Sequence, residues 1–272
     1  MCRYCSRIVM AVILAFGLPN TSEAHTLALM LTKTQGAENS KTTVYMAWGH
    51  LLPVDELVSG EDISSYKVHG PSGSVKSLDL DARSLQANEF VFEKPGVHQF
   101  EATRKSGVFT MVKNSDGKTA FHRLPKSEVA LEPGSTIVKS MRSQMFAKAI
   151  AICGAAGEEQ AAALGHRLEI VPLTAPGRFR IDQPIRMRVL SEGKPLANVS
   201  VNIACLRTHS DGSSTMEAKS DANGEFEFTP IESGLWTLSV VYSLKSSGED
   251  VKSFDAESFV ASLTIGIENE KP

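Results

Sequence analysis

Cysteine is scarce in this 272-residue chain: there are four, and two of them, Cys2 and Cys5, precede residue 24. A scaffold held by a dense disulfide framework is therefore excluded. Cys153 and Cys205 remain, either as a bridge or as two buried thiols. Positive charge is not in excess, with 28 lysines and arginines against 31 aspartates and glutamates, so no basic face points to a nucleic-acid partner. Beyond the amino-terminal apolar stretch no run is long enough to span a bilayer. The signatures of common nucleophiles and phosphate binders are missing too: there is no G-x-S-x-G, no H-E-x-x-H and no P-loop. Asp79, Asp81, Glu89, Glu93 and Glu101 are scattered as on the solvated outer faces of sandwiches, with no spacing that pairs them for hydrolysis. Nothing in this pattern argues for an enzyme.

What is present begins with a leader. Arg3 and Arg7 give a basic start, Ile8 to Phe16 are almost wholly apolar, and Ser22 and Ala24 place small residues on either side of Glu23. Residues 1–24 read as a secretory signal peptide, which predicts export to the periplasm. Cleavage after Ala24 would leave His25 with an α-amino group beside its imidazole.

The rest of the chain alternates with period two. In "PIRMRVLSEGKPLANVSVNIAC" Ile185, Met187 and Val189 share one face, and Val199, Val201 and Ile203 share another. "SDANGEFEFTPIESGLWTLSVVY" adds a hairpin turn at Asn223 and Gly224, inward Phe226 and Phe228, and a strand carrying Trp236, Leu238 and Val240. Such alternation between closely spaced turns predicts antiparallel strands. An echo of the same order, "NEFVFEKPGVHQFEA", occurs at 88–102. The expected fold is all-β: two immunoglobulin-like antiparallel β-sandwich domains in series, over 25–153 and 166–272, joined by a linker at 154–165. "HTLALML" and "TTVYMAW" are its first strands, "FAKAIAIC" the last strand of the first sandwich, and a loop or short helix follows.

Histidine carries the functional signal, because all seven lie after residue 24 and imidazole suits borderline metals. At the amino terminus the amine and ring Nδ1 of His25 can close a chelate. The amine's pKa, near 7.7–8.0, is low enough for a metal to displace its proton at neutral pH. His50, in "WGHLLP", ends the strand expected to pair with the one that His25 begins. His98 is in phase with Phe100 and Ala102, and His166 opens the second domain. These four are the candidate metal ligands. His69 and His122 are weaker ones, and His209 belongs to a solvated loop. Met141 and Met145 either form a sulfur-bearing patch or pack in the core.

Several stretches together resemble a known family. "AHTLALML", "GHLLP", "EKPGVHQF", "FAKAIAI", "GHRLEIVPLTAPGRFRIDQPIRMRVLSEGKPLANVSV" and "SDANGEFEFTPIESGLWTLSV" occur in the order seen in exported periplasmic components of cobalt and nickel uptake systems. That group is a domain of unknown function once labelled nickel-uptake substrate-specific. The C-terminal half is also similar to carboxypeptidase-regulatory-like sandwiches. The resemblance implies a nickel or cobalt ion as cargo and an inner-membrane transporter as partner. It carries over to His25 and His50, and His166 matches a family position. Here a leucine pair separates His50 from Pro53, where many members read Ser-His-Pro. Two other readings stand beside it. One is a copper protein, chaperone or oxidative enzyme, whose histidine brace joins His25 to His50 or His98. The other is a non-catalytic interaction module of the cell envelope.

Overall fold

The computed structural model describes residues 25–49, 54–82, 84–206 and 216–269. The signal-peptide reading, His50 and His209 lie outside them. The first half supplies β1 (Thr26–Leu31), β2 (Gln35–Gly36), β3 (Lys41–Gly49), β4 (Ile63–His69), β5 (Val75–Ser77), β6 (Ala87–Val91), β7 (Gly96–Lys113), β8 (Thr119–His122) and β9 (Thr136–Cys153). The second supplies β10 (Leu168–Pro172), β11 (Ile185–Ser191), β12 (Lys194–Pro195), β13 (Ser200–Cys205), β14 (Met216–Lys219), β15 (Glu225–Phe228), β16 (Gly234–Lys245) and β17 (Ala256–Ile267). The fold is all-β, and among the described residues no helix is long and apolar enough to cross a membrane.

The expected alternation holds where one face meets a core. Ile185, Met187, Val189, Val201, Ile203, Trp236 and Leu238 are all fully buried. Phe226 and Phe228 face inward beside them, as β15 pairs with β11. In the first half β1 pairs antiparallel with β3, Thr26 opposite Gly49 and Leu31 opposite Val44. Met141 and Met145 are core residues, 7% and 5% exposed. Cys153 belongs to one core and Cys205 to the other, and no disulfide joins them.

The two sandwiches share a sheet. A ten-stranded sheet runs β14-β13-β16-β17-β9-β7-β4-β5, with β2 on β9 and β8 on β7. A three-stranded sheet, β1-β3-β6, covers one face, and a four-stranded sheet of β10, β11, β12 and β15 covers the other. On β9, Met145, Ala147, Ala149, Ala151 and Cys153 enter the first core while Phe146 and Ile150 enter the second. The halves join where β17 pairs with β9 in parallel, from Ala256 opposite Met141 to Thr264 opposite Ala149. β1 lies against this seam, since the Ser262 hydroxyl donates to the Leu27 carbonyl at 2.7 Å.

Residues 154–165, expected as a linker, are strapped across the sheet. The Val97 amide donates to Glu159 Oε2 at 3.0 Å, and Gln99 Nε2 donates to the Ala162 carbonyl at 3.0 Å. Ala161, 2% exposed, sits in the second core.

Because sheet and strap are common to both halves, calorimetric unfolding is expected to show one cooperative transition. Two separate transitions would mean that the halves fold independently.

Candidate functional site

The corner that carries His25 is built by the β1/β3 register. With Thr26 opposite Gly49 and Leu27 opposite Trp48, the His25 ring falls beside the Trp48 indole. The two rings stack with centroids 5.3 Å apart and planes 26° from parallel. The chain then returns, and the Glu56 amide donates to the Trp48 carbonyl at 3.0 Å. That bridge places Glu56 Oε1 3.1 Å from His25 Nε2. A carboxylate can only accept, so the proton belongs on Nε2, and in neutral imidazole Nδ1 is then the lone-pair nitrogen. The corner is half open, with the His25 and Glu56 side chains 37% and 57% exposed. The Arg104 guanidinium lies 4.7 Å from the Trp48 ring centre, with Nη2 3.4 Å from Asp62 Oδ2. Gly49 has φ +120°, and a side chain there would meet the Asp55 carboxylate, 2.5 Å from the position of a Cβ.

The other candidate histidines are placed elsewhere. His98 is 3% exposed, edge-on to Phe90 and Phe92, with Nε2 3.0 Å from the Lys94 carbonyl oxygen. Burial lowers its pKa, against the Lys94 hydrogen bond and the Glu159 charge. Its neighbour Phe90 pairs with Thr42, at the opposite end of β3 from Gly49. At about 3.3 Å per residue that is about 23 Å along the strand. His98 is therefore not brought to His25, and a brace between the two has no support. His50, directly after Gly49, lies outside the described residues.

His166 is on the other face of the shared sheet, in a buried polar cluster that the sequence reading missed. Its Nε2 is 2.6 Å from Glu101 Oε2 and its ring stacks on Phe146. Glu101 Oε1 also accepts the Ser65 hydroxyl at 3.0 Å and lies 3.3 Å from His69 Nε2. Opposite Glu101 across the β7/β9 ladder is Lys148, whose ammonium is 2.6 Å from Glu169 Oε1, the two side chains being 2% and 1% exposed. Glu169 further accepts the Leu164 and Gly165 amides of the strap at 2.7 and 3.1 Å. Burial pushes the Glu169 carboxyl up, but the Lys148 charge and these hydrogen bonds outweigh it and hold it below the usual range. Burial likewise raises Glu101, and hydrogen bonds from His166, His69 and Ser65 outweigh it, bringing the carboxyl down to about 2.

Glu101 thus corrects its reading as a solvated carboxylate, and His166 is an interior residue hydrogen-bonded to it. The signal was there: in "FAKAIAIC" alternation puts Lys148 on the face of Phe146 and Ile150, and a lysine on a core face needs a carboxylate. Among the described residues, no group of three or more His, Cys, Asp or Glu side chains is gathered to hold a metal ion.

Comparison with known proteins finds one family, DUF4198, a domain of unknown function whose model matches residues 22–244. No curated protein matches the sequence. Among solved structures, the chain is similar to the D0-D1 domain of intimin at 11% identity, covering 89% of this chain and 99% of that one, with a TM-score of 0.22. It is similar to murine CEACAM1b at 9% identity, covering 90% and 100%, with a TM-score of 0.21.

Since folding lowers the Glu101 pKa, the folded protein binds fewer protons than the unfolded chain as Glu101 titrates. That contribution is complete above the ordinary carboxylate range and disappears as pH falls toward 2. It amounts to on the order of 3 kcal/mol. Glu101→Gln is expected to destabilise the protein at pH 7 and to flatten the loss of stability between pH 5 and pH 2. Urea unfolding across that range checks both, and a parallel pH profile for the variant would refute the assignment.

Proposed function

The chain belongs to the DUF4198 family, and for this member we propose a periplasmic, non-catalytic binding protein that carries a nickel or cobalt ion at the His25 corner. On this reading it serves as an accessory to an inner-membrane metal transporter. The observation that supports it is the hold on the His25 ring. Stacking on Trp48 fixes the plane, and the Nε2–Glu56 contact orients Nδ1 as the coordinating nitrogen. A carboxylate behind a ligating imidazole fixes the tautomer and raises its basicity. In a chain processed after Ala24, the α-amine of His25 and Nδ1 make a chelate that one extra residue would abolish. The sequence resemblance to cobalt and nickel uptake components supports the choice of ion. Copper(II) suits the same nitrogen pair and by the usual order of divalent metals binds it more tightly, so supply and partner, rather than affinity, would select nickel or cobalt.

Protein beginning at His25 is expected to bind about one Ni²⁺ in a calorimetric titration. An added alanine before His25 should weaken binding by at least about tenfold, and Glu56→Gln by about ten- to a hundredfold. Trp48 emission should be quenched on loading, while Trp236, fully buried in the second core, keeps its own. Equal affinity with and without the added residue would overturn the chelate.

A further inference from the structure

Charge is unevenly distributed along the chain. Between Arg104 and Lys126 lie Arg104, Lys105, Lys113, Lys118, Arg123 and Lys126 against a single acid, Asp116, although the whole protein has a net charge of −3. This stretch forms the distal end of β7, the turn after it, and β8. β8 pairs with β7, from Thr110 opposite His122 to Lys113 opposite Thr119, and among the described residues no strand takes its other side. The Asn114 amide donates to the Lys118 carbonyl at 2.8 Å. By the alternation of an antiparallel ladder, the Thr119 and Phe121 amides therefore point away from β7, along the open edge.

On that edge Phe121 is 70% exposed, more than any other large apolar side chain among the described residues. Lys118 and Arg123 flank it, with side chains 83% and 84% exposed. Their nearest carboxylates, Asp116 at 3.2 Å and Asp62 at 3.9 Å, form exposed pairs worth less than about 1 kcal/mol. Arg104, Lys105, Lys113, Lys118 and Arg123 outnumber these two acids, so the edge stays basic. Like charge opposes pairing with a second copy of the same edge, whereas an acidic strand meets no such barrier.

We propose that the free edge of β8 is a docking surface for an acidic, extended segment of a partner protein. The segment adds as a strand: its backbone pairs with Thr119 and Phe121, its carboxylates on one face meet Lys118, and an apolar side chain on the other covers the Phe121 ring, within the positive field that Arg123 adds. An anionic membrane shares the charge preference but offers no backbone to pair, so the open amides favour the peptide. The inference is independent of metal binding at His25.

Fluorescence anisotropy tests it with a labelled ten-residue peptide alternating aspartate with valine and threonine, against the same peptide carrying lysine for aspartate. Phosphatidylglycerol vesicles form a further arm. The full chain is expected to bind the acidic peptide and not the basic one, more weakly as salt is raised. Thr119→Pro removes one outward amide without touching the β7 ladder, and should weaken binding at least tenfold. The doubly reversed Lys118→Glu, Arg123→Glu variant should do the same. Phe121→Asp, at an exposed position, supplies a variant whose fold is not in question. No binding of the acidic peptide, binding that survives both Thr119→Pro and Phe121→Asp, or binding of vesicles alone would overturn the proposal.

Discussion

An ammonium in the interior of a sheet is tolerated only where a carboxylate meets it, and this requirement at Lys148 governs how the molecule is assembled. The partner, Glu169, stands on β10, in a different sheet, and the same carboxylate takes two amides from the strap. One strand away, directly opposite Lys148, Glu101 gathers His166, His69 and Ser65. Three segments distant in sequence, β4, β9 and residues 164–166, thereby converge on two acids. Sliding one layer past the other by a single residue would bury these charges apart, at a cost of several kcal/mol. The strap's backbone is answered from both layers, by Gln99 on β7 and by Glu169 on β10.

The histidine chemistry divides along the same sheet. His98 and His166 are held on its opposite faces, one among phenylalanines and one against Glu101. Both are spent on the interior, and neither side chain reaches the solvent-facing corner that His25 shares with Trp48 and Glu56. A ligand-binding reading of this protein therefore rests on the rim, where an aromatic plane and an acidic side chain orient one imidazole, and on the core only as the rigid support for that rim.

Much of the second half was legible from sequence. Ile185, Met187, Val189, Trp236 and Leu238 alternate cleanly because each strand shows one face to a core, and the Asn223-Gly224 turn marks its hairpin. The all-β class and the β1/β3 pairing were readable for the same reason. The parallel seam was not: β9 and β17 are covered on both faces, so "FAKAIAIC" and "FVASLTIGI" read as continuous apolar runs that give no register or neighbour. Glu101 was misread because its strand position matches that of solvent-facing acids. Only the strap, an irregular segment with no periodicity, turns that face inward. The Trp48–His25 stack depends on side-chain placement that period-two patterning does not encode.

The seam also bears on how the protein reaches this form. Met141 pairs with Ala256, so the edge of β9 that will receive β17 must wait until nearly all of the chain is available. During that interval a long, apolar, unprotected strand edge is open to mispairing, and a contact so remote in sequence forms slowly. Acquisition of the native state is thus set by the arrival of the last strand, and any holding factor that shields β9 in the meantime would raise the yield of folded molecules without altering the equilibrium.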